Sequence, residues 1–152
     1  GVSLLDGTAH LAAHVETLSP AKVLGMSEGD MRGAGLSQRK GEYIRALAEA
    51  FRGGEFDGID DMRDEELRAK LVAIRGIGDW TVDMYLLFSA HRSDVFPTGD
   101  LSVCKGVSLL ENGGGKMDKA AILDAAEKWR PYRSLAAWYM YRVAGSSKGL
   151  KG

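Results

Sequence analysis

A single cysteine, Cys104, stands in the 152 residues of this chain. One thiol rules out an internal disulfide framework, a zinc finger and a cysteine-held iron–sulfur cluster. Histidine is scarce as well: His10, His14 and His91 are the only three. His10 and His14 are spaced i, i+4, but with no third ligand nearby and no HExxH pattern they read as an exposed helix face rather than a metal site. No run approaches the roughly 18 apolar residues of a membrane span, and no secretory signal opens the chain. A soluble, intracellular protein is expected, with no membrane partner. Convincing period-2 alternation is missing too, so no strand is expected. Nor is there an excess of one charge: 20 basic and 21 acidic side chains leave −1, which gives no bulk argument for a polyanion partner.

What is present is one domain's length of chain, 45% apolar and 27% charged, enough to bury a real core. Its charges are unevenly placed. No acidic residue follows Glu127, while Lys128, Arg130, Arg133, Arg142, Lys148 and Lys151 give the remaining 25 residues a charge of +6 and leave −7 on the first 127. The asymmetry suggests one basic face on an acidic body. For Lys148 and Lys151 a solvated basic tail accounts for the charge equally well. Arg133 and Arg142 lie instead inside an aromatic helical pattern.

Helix follows helix. His10 to Leu18 is a short candidate. Ser19-Pro20 supplies an N-cap and a proline at the first helical position for a brief helix through Leu24. Ser27 and Asp30 form a weak capping pair for another short turn, which the glycines at 33 and 35 end. Ser37 caps a helix whose apolar positions Tyr43, Ile44, Leu47, Ala48 and Phe51 recur at helical spacing until Gly53-Gly54 stops it. Asp64 is read as the cap of a helix carrying Leu67, Leu71 and Ile74. Gly76-Ile77-Gly78 turns that helix into one bearing Val82, Tyr85, Leu86 and Phe88. Helices near 101–110, 118–129 and 133–144 complete an all-α expectation.

A helix, a Gly-hydrophobic-Gly turn and a second helix make a helix-hairpin-helix motif. Its glycines permit positive φ, and its backbone N–H groups can face outward at a helix start, where the dipole favours an anion. Such a turn can cradle a phosphate and so read nucleic-acid backbone rather than sequence. Leu71, Ile74 and Ile77 would pack the hairpin and Thr81 would support it. An ordinary helix–helix turn is the plainer account of a bare GxG. The longer pattern L-x-x-I-x-G-I-G-x-W-T is more specific. Asp100 lies 22 residues beyond Gly78, after Pro97-Thr98-Gly99 and before another helix. An N-cap explains it on its own. Beside a phosphate cradle, the same carboxylate would stand next to a sugar, where it could stabilise positive charge on the ring as a glycosidic bond breaks and orient an attacking water.

The stretches "IRGIGDWTVDMYLLFSAHRSDVFPTGDLSVCKG" and "EKWRPYRSLAAWYMYRV" resemble the helix-hairpin-helix DNA glycosylases that end in a Gly/Pro-rich loop and an aspartate. Within them the likeness is to the 3-methyladenine DNA glycosylase II type, and it runs from about Leu18 to Ala144. It implies an HhH-GPD-like helical domain, a flipped-out base, Asp100 as the catalytic carboxylate, and double-stranded DNA with alkylated bases as the partner. Members that also cleave the strand carry a lysine where this chain has Trp80. An indole forms no Schiff base, so the resemblance implies a monofunctional enzyme using water and no cofactor, with Trp80 stacking on the base. Tyr141 falls where bacterial alkylation-repair enzymes place another pocket aromatic; an electron-rich pocket would favour a cationic purine by ~1–2 kcal/mol. Trp129, Tyr132, Trp138 and Tyr139 read instead as core or helix-packing aromatics. Gly76, Ile77, Gly78, Thr81, Lys105 and Arg133 are the implied phosphate contacts. The family also implies a monovalent cation on the carbonyls of Ile74 and Ile77.

The resemblance breaks down before Ser19. Relatives carry a paired-glutamine helix and a wedge loop there, whereas residues 1–18 contain no glutamine and open on Gly1 rather than methionine. Residues 1–18 are therefore read as a divergent or truncated segment, 19–145 as the glycosylase-like domain and 146–152 as a basic tail. Gly99 replaces a polar residue usual in relatives, and Cys104 replaces a basic one, which loses a possible phosphate contact. An alternative reading keeps the scaffold and drops the chemistry: an inactive, structural or RNA-contacting subunit of a larger assembly such as an organellar ribosome. The expected compartment is a nucleus or organelle (mitochondrion or chloroplast) in a eukaryote, and otherwise the cytoplasm.

Overall fold

A computed structural model describes residues 18–146, and every element among them is helical. The helices are α1 Pro20–Gly25, α2 Glu28–Gly33, α3 Gln38–Arg52, α4 Asp64–Val72, α5 Asp79–Phe88, α6 Leu101–Asn112, α7 Lys119–Glu127 and α8 Arg133–Ser146, with a 3₁₀ turn at Ile59–Asp61. The span 19–145 contains two compact units, divided between Gly78 and Asp79. The helix expected over His10 to Leu18 lies almost wholly outside the described residues, as do Lys148 and Lys151. None of the described helices is long and apolar enough to cross a membrane.

The first unit is organised by its caps. Ser19 accepts from the Lys22 N–H with Pro20 at the first helical position, Ser27 and Asp30 form a complete capping box, and Ser37 accepts from the Lys40 N–H. Each satisfies a donor that a helix start would otherwise leave open. α3 packs against α1 and α2 over a small core of Val23, Met31 and Ala48, with Leu24, Met26, Leu36 and Ile44 at its edge. Arg45 ties this arrangement by donating to the carbonyls of Leu24, in the last turn of α1, and Met26, just past it. Phe51, the last of the apolar positions at helical spacing, is 50% exposed and stacks on Phe56 with ring centroids 3.9 Å apart. Asp64 does not cap α4. Arg63 occupies the cap without a side-chain bond, and Asp64, Glu65 and Glu66 fill the first turn, where their charge suits the helix dipole. α4 ends at Val72, so Ile74 belongs to the hairpin turn rather than the helix.

In the second unit α6 packs along α8, with α7 against both. The core is Phe96, Val103, Val107, Ile122, Ala126, Ala137 and Met140. Of the aromatics expected to pack, Trp129 does, tilted against Phe96 at 5.6 Å. Tyr132, Trp138 and Tyr139 are instead 65%, 45% and 53% exposed. Phe88 ends α5 half in solvent, whereas Val82 and Leu86 are buried.

Candidate active site

Three helices of the second unit converge on one carboxylate. Asp100 is the N-cap of α6, and its Oδ1 accepts the N–H groups of Ser102 at 2.8 Å and Val103 at 3.1 Å. Its Oδ2 accepts from Trp80 Nε1 of α5 at 2.8 Å and from the Tyr141 hydroxyl of α8 at 3.0 Å. The N-cap read from the sequence is therefore present: one carboxylate oxygen caps the helix, while the other is held by two aromatic side chains. Trp80 and Tyr141 were expected to line a base pocket. The structure places them on the carboxylate itself, through polar groups that a reading of ring faces overlooks. Met84, one turn after Trp80, adds a sulfur 3.6 Å from the Tyr141 hydroxyl, and Phe88 stands 6.4 Å from the Tyr141 ring.

The electrostatics follow from this geometry. Asp100 is 8% exposed. Burial alone would push its carboxyl up, but the bonds from Trp80, the Val103 N–H, Tyr141 and the Ser102 N–H outweigh it and hold the group below the usual carboxylate range. The phenol responds in the opposite sense. Burial first, then the hydrogen bond and charge of Asp100 and the charge of Asp83, push Tyr141 well above an ordinary tyrosine. Asp83 is itself buried, one turn beyond Trp80 on α5, and sequence reasoning did not mark it.

A test of these bonds is Tyr141→Phe, which removes one donor from Oδ2 and so raises the Asp100 pKa. The acid limb of any activity that needs the ionised carboxylate will move to higher pH, read from a pH–rate profile. The parallel effect on stability has a fixed sign. The folded-state value lies below that of the unfolded chain, so ionised Asp100 stabilises the fold above about pH 4 and the contribution is lost as pH falls further. In the variant that loss begins at a higher pH.

The loop before Asp100 is pinned from several directions. The Thr98 N–H donates to the Phe96 carbonyl and the Asp100 N–H to the Pro97 carbonyl, both at 3.0 Å. The Cys104 thiol donates to the Thr98 carbonyl at 3.3 Å. Cys104, where the resemblance implied a basic side chain, thus fastens the loop instead. Gly99 is exposed, with only the Trp80 Cβ at 4.0 Å from where its own Cβ would stand.

The remaining expected residues divide. In the hairpin Gly76 has φ +96°, and a Cβ there would sit 2.3 Å from the Tyr43 ring, so only glycine fits. Gly78 is exposed with open space around it. The Ile77 N–H is engaged, donating to the Ile74 carbonyl at 3.0 Å; as a phosphate donor Ile77 is withdrawn. Thr81 is exposed in the first turn of α5. Lys105 is exposed and donates to the Ala144 carbonyl at 3.4 Å. Arg133 is the main correction. Its side chain is 13% exposed and grips Asp94 through Nε at 2.6 Å and Nη2 at 2.9 Å, which makes it a structural ion pair. Among the described residues no group of three His, Cys, Asp or Glu side chains could hold a metal.

Described residues that are all helical in their regular elements, with a glycine hairpin followed by a glycine–aspartate loop whose carboxylate is held ionised at a helix start, define a class. The chain belongs to the HhH-GPD superfamily of base excision DNA repair proteins, whose family model matches residues 3–131. The match takes in the segment before Ser19 and stops short of α8. Among particular relatives, the chain is 35% identical over 129 residues to DNA-3-methyladenine glycosylase 1 of Schizosaccharomyces pombe, covering 83% of this chain and 57% of that enzyme. A structure of S. pombe 3-methyladenine DNA glycosylase in complex with abasic DNA superposes with a TM-score of 0.76 at 35% identity, covering 82% of this chain and 62% of that one. A DNA-3-methyladenine glycosidase from Bacillus halodurans superposes with a TM-score of 0.85 at 28% identity, covering 98% of this chain and 72% of that one.

Proposed function

We propose that this chain is the catalytic part of a monofunctional DNA glycosylase that hydrolyses the N-glycosidic bond of flipped-out alkylated purines in duplex DNA. The observation that carries the reading is the Asp100 carboxylate, buried yet held ionised by Trp80, Tyr141 and the amides of α6. A fixed negative charge in a low-dielectric site stabilises the oxocarbenium-like charge that develops on the sugar, and it needs no reorganisation during the reaction. Water is the nucleophile, since Trp80 stands where a lyase needs an amine. The indole of Trp80, 47% exposed, offers a face to a cationic purine. Exposed Gly76 and Gly78 of the hairpin are suited to a phosphate oxygen, and Thr81 and Lys105 to further backbone contacts. A relative solved with abasic DNA supports the partner, and relatives named for 3-methyladenine support the substrate class.

The test is base release from alkylated duplex DNA under single-turnover conditions, using the full reading frame. Release of free purine with no strand nicking is expected. Nicking without added base or lyase would contradict the monofunctional reading. No release together with no duplex binding would favour the inactive scaffold.

A further inference from the structure

α8 holds the loop that carries Asp100 at its far end as well as at Tyr141. Arg133 and Ser134, the first residues of α8, fasten residues 92–95. Arg133 donates to both carboxylate oxygens of Asp94 at 2.6 and 2.9 Å and to the Asp94 carbonyl at 3.1 Å. The Ser134 hydroxyl donates to the Arg92 carbonyl at 2.6 Å and accepts the Val95 N–H at 2.9 Å, while the Ser134 N–H donates to the Ser93 carbonyl at 3.0 Å. Arg130 adds a bond to Asp94 at 2.7 Å. From this clamp to Asp100 the chain has little freedom: Val95 and Phe96 are 6% and 9% exposed, Pro97 is fully buried, and the turn bonds of Thr98 and Asp100 follow directly. A shift of residues 92–95 therefore passes to the carboxylate rather than dissipating in a flexible loop.

We propose that Arg133 is a positioning residue for the reaction: paired with Asp94 and assisted by Ser134, it fixes where the Asp100 carboxylate stands and does not contact DNA phosphate. The proposal rests on the reading of Asp100 as the reacting carboxylate. Bidentate guanidinium–carboxylate pairs combine strength with a fixed orientation, which is what a strut needs. Displacements on the order of 1 Å at a reacting group can cost ~100-fold in rate.

The experiment compares Arg133→Gln and Asp94→Asn with the parent in the full-length protein. It measures single-turnover base release, duplex affinity across a salt series, and hydrogen exchange of the Val95 amide. A positioning role predicts that both variants lose about tenfold or more in rate, with affinity and its salt dependence unchanged, faster Val95 exchange, and a double variant no worse than the poorer single. A phosphate contact predicts a different pattern. Arg133→Gln would then weaken binding and lower the salt slope by ~0.9, while Asp94→Asn, which frees the guanidinium, would tighten binding at an undiminished rate. That pattern, or parent rates in both variants, overturns the proposal. If Arg133→Gln does not fold, the Asp94→Asn rate and affinity decide alone, since the two readings predict opposite outcomes for it. A parent that releases no base sinks the enzymatic reading and this proposal together, whereas an active parent with unaffected variants sinks only the proposal.

Discussion

Asp100→Asn is expected to abolish most base release while leaving α6 in place. Asparagine is as good an N-cap as aspartate, so its side-chain oxygen keeps the bonds from Ser102 and Val103 that fix the start of the helix. What changes is the other oxygen, which is replaced by an amide nitrogen that donates rather than accepts. The Tyr141 hydroxyl can rotate and accept from it, but the Trp80 indole is a donor only and loses its partner at 2.8 Å. The larger change is the charge. On the proposed reading, a carboxylate held ionised in a site 8% exposed would act on a developing cation through little intervening water, where removing one preorganised electrostatic group costs ~10²–10³ in rate. The folding penalty is on the order of 1 kcal/mol, as for one impaired hydrogen bond. A single-turnover rate down ~10²-fold or more beside a nearly unchanged denaturation midpoint separates the two roles of this residue. An Asn variant that works at the parent rate would leave Asp100 as a cap alone.

What the sequence could show followed the reach of the interaction. Ser19, Ser27 and Ser37 were identified as caps because each bond spans three residues, and the chemistry of the short side chain leaves few alternatives. At Asp64 the same logic missed by one position, since three consecutive acids all suit a helix start and only the backbone decides which residue is the cap. Asp100 was legible because the hairpin and the Gly-Asp loop bear on it within one short stretch. The bonds from Trp80 and Tyr141 were within reach of reasoning. A buried carboxylate must find donors, and these two side chains carry polar ends on apolar bodies. Arg133 could not have been placed correctly, because its partner Asp94 is 39 residues away with no local pattern joining them. In the sequence Arg133 stood in a cluster of cations that suggested a basic face, and the resemblance made it a phosphate contact. Exposure of Trp138 and Tyr139 was equally hidden, because aromatic and apolar residues recur around α8 and only packing selects the buried face.

Gly106→Ala is expected to damage both the fold and the site, although alanine is the better helix former by ~1 kcal/mol. Gly106 sits inside α6, fully in helical register, where a glycine needs a reason. The reason is α8. A Cβ at Gly106 would stand 2.4 Å from the Met140 carbonyl oxygen and 2.8 Å from its Cα and Cβ. These are backbone and near-backbone atoms, so no side-chain rotation relieves the contact, and the helices must separate. Their interface holds Val103, Val107 and Ala137, each with no exposed surface, and parting them forfeits close packing for about 3 kcal/mol or more. Against the propensity gain, a net destabilisation of ~2 kcal/mol remains. The displacement falls beside Tyr141, the residue after Met140, and would reach the carboxylate through the 3.0 Å bond from Tyr141 to Asp100. The folded fraction of the variant should therefore resemble Tyr141→Phe in its pH–rate profile. Gly145→Ala on the same α8 is the control, since nothing lies within 4 Å of its Cβ; it should be neutral or slightly stabilising. Equal denaturation midpoints for the two alanine variants would mean that α8 can shift at little cost, and that the close approach at Gly106 does not hold the site together.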